Sequence, residues 1–187
     1  MSRSDLIPPA LDQHDALYTA GSKLIWPHLQ LANRPTKALS SGATADVKNG
    51  IAKLKAAIEV RPGVSKNWST FWLLGKAYEA LDEFEDSYRC FKSAFEINPG
   101  HVDAARELMA SCLRTGRTAE ALCAAKAARD LAPSNPGILA NLALAFFRSG
   151  QLDEALTAGH EALKLAPSDV ITQSLIARIE QADCSRK

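Results

Sequence analysis

The side chains that could do chemistry do not converge. The chain of 187 residues holds four histidines, His14, His28, His101 and His160, and four cysteines, Cys90, Cys112, Cys123 and Cys184, at uneven intervals. A zinc site needs ligands in closely spaced pairs, and neither CxxC nor HExxH occurs. GxSxG and GxxxxGK[ST], which would present a nucleophile or cradle a phosphate, are absent as well. Glu161 follows His160, but adjacent helical residues point about 100° apart and form no dyad. These patterns predict no catalytic residue, metal or cofactor, and so no enzyme. What remains is recognition chemistry. Arginine pairs with carboxylates, often through two hydrogen bonds at once. Aromatic side chains that stand off a core stripe commonly mark contact surfaces.

Composition narrows the partners. Lys and Arg number 22 against 21 Asp and Glu, a formal charge of +1. No bulk charge therefore points to nucleic acid or to an anionic membrane. No stretch approaches the roughly 20 apolar residues of a membrane span. The start, MSRSDLIPPALDQHD, lacks the apolar run of a signal peptide. The expectation is a cytoplasmic protein whose thiols are buried and reduced.

The elements that must carry any recognition surface are repeated. Residues 68–101 read WSTFWLLGKAYEALDEFEDSYRCFKSAFEINPGH, and the frame recurs, with Pro99, Pro133 and Pro167 each 34 residues apart. Ala94, Ala128 and Ala162 keep that interval, as do Leu74, Leu108, Leu142 and Ile176. A fixed period of this size with helical patterning marks a stacked array. In 136–169, Leu139, Leu142 and Phe146 form one apolar face, and Ser149-Gly150 ends that helix. Asp153 and Glu154 open a second helix, where acidic groups suit the positive terminus, and Pro167 stops it. Thr115-Gly116, Glu120 and Pro133 repeat this order in 102–135. Ala121, Ala128, Ala155 and Ala162 fall where the second helix faces the first, so the two can approach closely. One pair cannot bury both of its faces, and neighbouring pairs supply the rest of the core.

The unit resembles the tetratricopeptide repeat (TPR) family. The resemblance rests on Phe71, Leu74, Gly75 and Tyr78 in the first helix, Ser87, Phe91 and Ala94 in the second, and Pro99 at the end. The next two units match at Ala105, Leu108, Cys112, Ala121, Ala125, Ala128 and Pro133, and at Leu139, Leu142, Phe146, Ala155, Gly159, Ala162 and Pro167. Met109 and Ala143 replace the glycine found at Gly75, where the fold needs only a side chain that the facing helix tolerates. Units 68–101, 102–135 and 136–169 together cover 102 of the 187 residues. The resemblance implies an all-α fold, a right-handed α-solenoid of stacked helix-turn-helix TPR units with a C-terminal capping helix over 170–182.

Outside these units the pattern is weaker. Residues 1–8 read as a disordered N-terminus and 182–187 as a fraying end. Leu11, Ala16, Leu17, Ala20, Leu24 and Ile25 predict a helix over 9–31 that Pro27 kinks or ends. The stretch 31–44, LANRPTKALSSGAT, is aperiodic and reads as loop or weak helix. Val47, Ile51, Leu54, Ala57 and Ile58 predict a helix over 45–60, closed by Arg61-Pro62-Gly63. Two readings of 9–64 stand: a degenerate TPR with an insertion at 31–44, or a cap outside the repeat. At the other end Val170, Ile171, Ile176, Ala177 and Ile179 predict an apolar face opposite Gln173, Arg178, Glu180 and Gln181, as a lid requires.

In TPR proteins the first helices of the units line a groove that takes a peptide. The resemblance implies inward positions at Ser69, Trp72, Leu73, Lys76, Glu79 and Ala80, at Asp103, Arg106, Glu107, Ala110, Leu113 and Arg114, and at Gly137, Ala140, Asn141, Leu144, Phe147 and Arg148, with Arg178 extending the row. Helical geometry agrees for two of them. Phe147 lies about 100° round the helix from Phe146, and Trp72 is likewise offset from Phe71 and Leu74. The expected partner-binding residues are Trp72, Lys76, Arg106, Leu113, Arg114, Asn141, Leu144, Phe147, Arg148 and Arg178. Their chemistry fits an acidic segment with apolar anchors.

The function expected is that of a non-catalytic adaptor or scaffold for a protein or peptide partner. Alternatives stay open. Trp72 and Phe147 could instead touch the N-terminal segment or a neighbouring helix, or residues 1–8 or 31–44 could fill the groove. The chain could also be a small chaperone for a dedicated client, similar to bacterial secretion chaperones and dimeric through its N-terminal segment. The TPR clamp for the acidic tails of heat-shock chaperones is not matched, since of its asparagine positions only Asn141 agrees, with Leu73 and Glu107 in the preceding units.

Overall fold

The helices follow the breaks. In the computed structural model, which describes residues 9–29, 39–61 and 68–185, they are α1 (Pro9–Ile25), α2 (Ser41–Val60), α3 (Trp68–Ala80), α4 (Phe84–Ile97), α5 (Val102–Arg114), α6 (Thr118–Leu131), α7 (Pro136–Arg148), α8 (Leu152–Leu165) and α9 (Val170–Cys184). A 3-10 turn at Trp26–His28 ends α1, where Pro27 removes an amide donor. No strand occurs among the described residues. The expected disorder at 1–8, most of the aperiodic stretch and the last two residues lie outside the described residues, whereas 182–184, expected to fray, continue α9 as helix. The chain divides into two compact halves, 1–98 and 99–187.

In the C-terminal half each helix packs on the next, and α5 also lies along α7 and α7 along α9. The turns between paired helices need left-handed backbone, which Gly116 (φ 75°) and Gly150 (φ 79°) adopt without a Cβ clash. Asn135 caps α7, its Oδ1 accepting from the Ile138 amide at 3.1 Å, and Pro136 opens the helix. Asp169 caps α9, accepting from the Ile171 amide at 3.1 Å and from the Thr172 hydroxyl at 2.6 Å. The facing stripes are alanine-rich: Ala121, Ala124, Ala125 and Ala128 on α6, and Ala155, Ala158 and Ala162 on α8, are all buried.

α9 closes this half with Thr172, Leu175, Ile176 and Ile179 turned inward, an i, i+3, i+4, i+7 stripe. Val170, Ile171 and Ala177, expected on that face, are exposed instead, Val170 by 67% and Ile171 by 72%. They fall off the line of the stripe.

In the N-terminal half α1 packs on α2, α2 on α3 and α3 on α4. α2 starts at Ser41, inside the stretch expected to be aperiodic. Ser40 caps it, accepting from the Ala43 amide at 3.3 Å, and so draws 41–44 into the helix. Two contacts give α1 and α2 the geometry of a repeat hairpin. A Cβ added at Gly75 would meet the Phe91 ring at 2.5 Å, and one at Gly21 would meet Leu54 and the Gly50 carbonyl at 3.0 Å. Phe91 and Leu54 both stand eight residues before a closing proline, Pro99 and Pro62. The Lys55 ammonium also lies 5.6 Å from the centre of the Tyr78 ring, as Lys126 does over Phe146 between α6 and α7. Leu54 follows Gly21 by 33 residues where Phe91 follows Gly75 by 16, so the first hairpin carries 17 additional residues in its connection.

The departures from the TPR glycine have a volume logic. Gly75 faces the ring of Phe91, whereas Met109 stands in the second unit with Ala125 at the place of Phe91, both fully buried. In the third unit a Cβ added at Gly159 would lie 3.8 Å from that of Ala143, in ordinary contact, but only 2.9 Å from Ile176 of α9, which fills the remaining space. A large residue on one helix is matched by a small one on the other, as close packing demands.

Of the four thiols expected to be buried, Cys112 is buried and Cys90 half-buried, but Cys123 and Cys184 are exposed. Cys123 sits on the outer side of α6, between Ala121 and the buried Ala124 and Ala125.

Candidate interaction face

The inner face of the C-terminal half is formed where α5, α7 and α9 run side by side. At its centre Arg148, at the end of α7, donates from its guanidinium NH1 to the Leu113 carbonyl of α5 at 2.8 Å. That bond satisfies one of the last carbonyls of α5, which the helix itself leaves without a donor. It also fixes the guanidinium, while the exposed side chain keeps its other donors outward. Beside it the Arg178 guanidinium of α9 lies 5.8 Å from the centre of the half-buried Phe147 ring, a cation–π contact. Asn141 and Leu144 line the same α7 face, both half-buried. Two oriented guanidinium groups thus flank an apolar strip.

Not every expected residue joins them. Leu113 is 6% exposed, because α7 lies against α5 there, and it contributes its carbonyl rather than its side chain. Arg106 is held by Asp103 at 2.9 Å and Glu107 at 3.2 Å, so its charge is largely answered within α5. Arg114 is exposed at the end of the same helix.

In the N-terminal half Lys76 pairs with Glu79 one turn on. Trp72 is half-buried rather than open, and its ring centre lies 6.0 Å from that of Trp26 at an interplanar angle of 40°. This contact with the N-terminal segment is one of the alternatives drawn from the sequence for Trp72. Trp26 itself, 50% exposed, went unassigned. Counting back from Pro62 would have found it, because Ala57, Leu54 and Gly50 then fall on the positions of Ala94, Phe91 and Ser87 and make α1 the partner helix.

A cleft of about 340 Å³ opens elsewhere in the N-terminal half, among Lys55, Phe71, Leu74, Tyr78, Asp86 and Cys90. Its groups answer one another. Burial, reinforced by Asp86, pushes the Cys90 thiol up to about 12, which leaves it protonated and unreactive at neutral pH. The Lys55 ammonium is held above its usual range chiefly by its hydrogen bond to Tyr78. Among the described residues no three His, Cys, Asp or Glu side chains are placed to hold a metal ion, and no helix is long and apolar enough to cross a membrane.

Comparison with known proteins agrees with the helix pairs. A family profile described as tetratricopeptide repeat matches residues 72–136 and 113–170, which together span slightly over half of the chain. Among solved structures, the segment of MamA from residue 41 to its end, from Desulfovibrio magneticus RS-1, is 15% identical with a TM-score of 0.74, over 92% of this chain and 86% of that one. A further MamA structure is 16% identical with a TM-score of 0.76, over 92% of this chain and 83% of that one. The first TPR domain of Spaghetti (RPAP3), bound to the HSP90 peptide SRMEEVD, is 18% identical with a TM-score of 0.60, over 65% of this chain and 96% of that one. At these identities the likeness is one of fold. A search of curated proteins finds no sequence match.

Proposed function

We infer that this chain, which belongs to the tetratricopeptide repeat family, works as a protein-interaction module whose C-terminal half takes an acidic segment across α5, α7 and α9. The observation that carries this reading is the fixed pair of guanidinium groups around Phe147. Arg148 is oriented by the Leu113 carbonyl and Arg178 by the Phe147 ring, so neither needs to be ordered when a carboxylate arrives. Charge-assisted, often bidentate bonds would then fix the acidic groups, while Leu144 and Phe147 cover an apolar anchor. That a TPR domain of similar fold is seen with the acidic peptide SRMEEVD supports the chemistry. The residues here differ from the clamp of that class, so the contacts proposed are specific to this chain.

The test is fluorescence anisotropy with a labelled glutamate-rich peptide carrying one leucine. Removing one charged hydrogen-bonding partner costs about 1.5–3 kcal/mol, so Arg148→Ala should weaken binding roughly ten- to a hundredfold. Arg178→Ala should weaken it as well, and both effects should shrink as salt screens the pairs. Unchanged affinity in both variants, with helicity intact, would remove the acidic-segment reading.

A further inference from the structure

Arg178 shares its side of α9 with the most exposed large apolar side chain among the described residues, Ile171, at 72%. Seven helical residues make nearly two full turns, so the two stand within about 20° of each other and about 10 Å apart along the axis. Between them Ser174 turns its hydroxyl back to the Val170 carbonyl at 2.8 Å, which leaves a low saddle. The residue 34 earlier, level with Ile171 on α7, is Gly137. It is exposed, and a Cβ built there would meet only the Asn135 Oδ1, at 3.4 Å. Ile171 therefore borders an open notch over bare α7 backbone, at the start of both helices.

This notch continues the face on which Arg148 and Arg178 are fixed. A segment held by both guanidinium groups passes from the end of α7 to the middle of α9, and the notch lies further along α9. An acidic segment without fold of its own favours the extended left-handed helix, in which residues three apart point the same way at a distance of about 9 Å. That spacing matches the separation of Arg178 from Ile171. We propose that Ile171 and Gly137 form an apolar notch that selects a large aliphatic residue three positions from the carboxylate held by Arg178. The proposal rests on the acidic-segment reading of this face and adds a spacing rule to it.

The experiment is fluorescence anisotropy on the full chain with labelled serine peptides that carry two adjacent glutamates. One has no leucine, one has leucine beside the glutamates, and two have leucine three residues before or after them. One of the last two should bind about tenfold more tightly than the leucine-free peptide, the order of one buried aliphatic side chain. In Ile171→Ser that ratio should fall to about one. Gly137→Leu, which fills the notch from α7, should do the same. A leucine beside the glutamates meets Leu144 and Phe147 instead and should keep its gain in both variants. No gain at a spacing of three in either order, or a gain that survives Ile171→Ser, would overturn the spacing rule while leaving the acidic-segment reading intact. Failure of every glutamate peptide to bind would overturn both. A sedimentation mass that falls in Ile171→Ser would also overturn the proposal, since a second copy would then cover the notch.

Discussion

Gly75→Ala would test the packing of the repeat at its tightest point. A Cβ at residue 75 would lie 2.5, 2.7 and 2.8 Å from three atoms of the Phe91 ring. Phe91 is fully buried, so the ring has nowhere to turn. Forcing extra volume into such a core costs about 1–3 kcal/mol, and the three short contacts place this case at the upper end. Against that, alanine is favoured over glycine in a helix by about 1 kcal/mol. The net loss should be about 1–2 kcal/mol, equivalent to a fall in Tm of roughly 2–8 °C for a chain of this length. Urea unfolding followed by circular dichroism would measure it, with Gly42→Ala as the control. Nothing lies within 4 Å of a Cβ at residue 42, so that variant should be neutral or gain up to about 1 kcal/mol. Gly75→Ala combined with Phe91→Leu should recover part of the loss, a coupling of about 0.5–2 kcal/mol between touching residues. If Gly75→Ala stabilised the protein as Gly42→Ala does, the match of large and small residues between paired helices would be wrong.

Two further outcomes follow from single side chains. With a disulfide-exchange reagent near pH 8, Cys123 and Cys184 should react within seconds to minutes while Cys90 and Cys112 stay protected until the protein unfolds, because burial holds the Cys90 thiol protonated and Cys112 is enclosed. Rapid modification of Cys90 in the native protein would contradict its placement against Asp86. The Asp169 carboxyl is held below its usual range chiefly by the Thr172 hydroxyl, so its contribution to capping α9 is present above about pH 4 and lost as pH falls through the lowered value. A carboxyl titration by NMR should show that depressed value and its partial return toward normal in Thr172→Val. An Asp169 that titrates at or above the ordinary value would refute the cap geometry.

The repeat frame was legible because it is written in covalent spacing. Prolines that cannot continue a helix, glycines at left-handed turns and alanines at facing positions recur at one interval, and each acts locally. The exposed face of α9 was less legible. Val170 and Ile171 are apolar, yet the stripe that packs is set by the helical phase of Leu175, Ile176 and Ile179, which composition alone does not show. Position in the repeat placed Arg148 and Phe147 on one face. It could not show that Arg148 reaches back to a main-chain carbonyl of α5, or that Arg106 is answered by Asp103 and Glu107, because those bonds depend on rotamers rather than on register. The burial of the Leu113 side chain is illegible for a related reason. An inward position by count can still be covered by the adjacent repeat. Trp26 was hidden by the long connection between α1 and α2, which breaks the interval that revealed everything else.

The central claim, an acidic-segment face on α5, α7 and α9, is tested most directly by capture of native complexes on the full chain and on an Arg148→Glu, Arg178→Glu double variant of equal helicity and Tm. A partner that binds the wild type through an acidic segment and is lost from the double variant is the predicted result. The same partner retained by both chains would contradict the claim and move the interface away from this face.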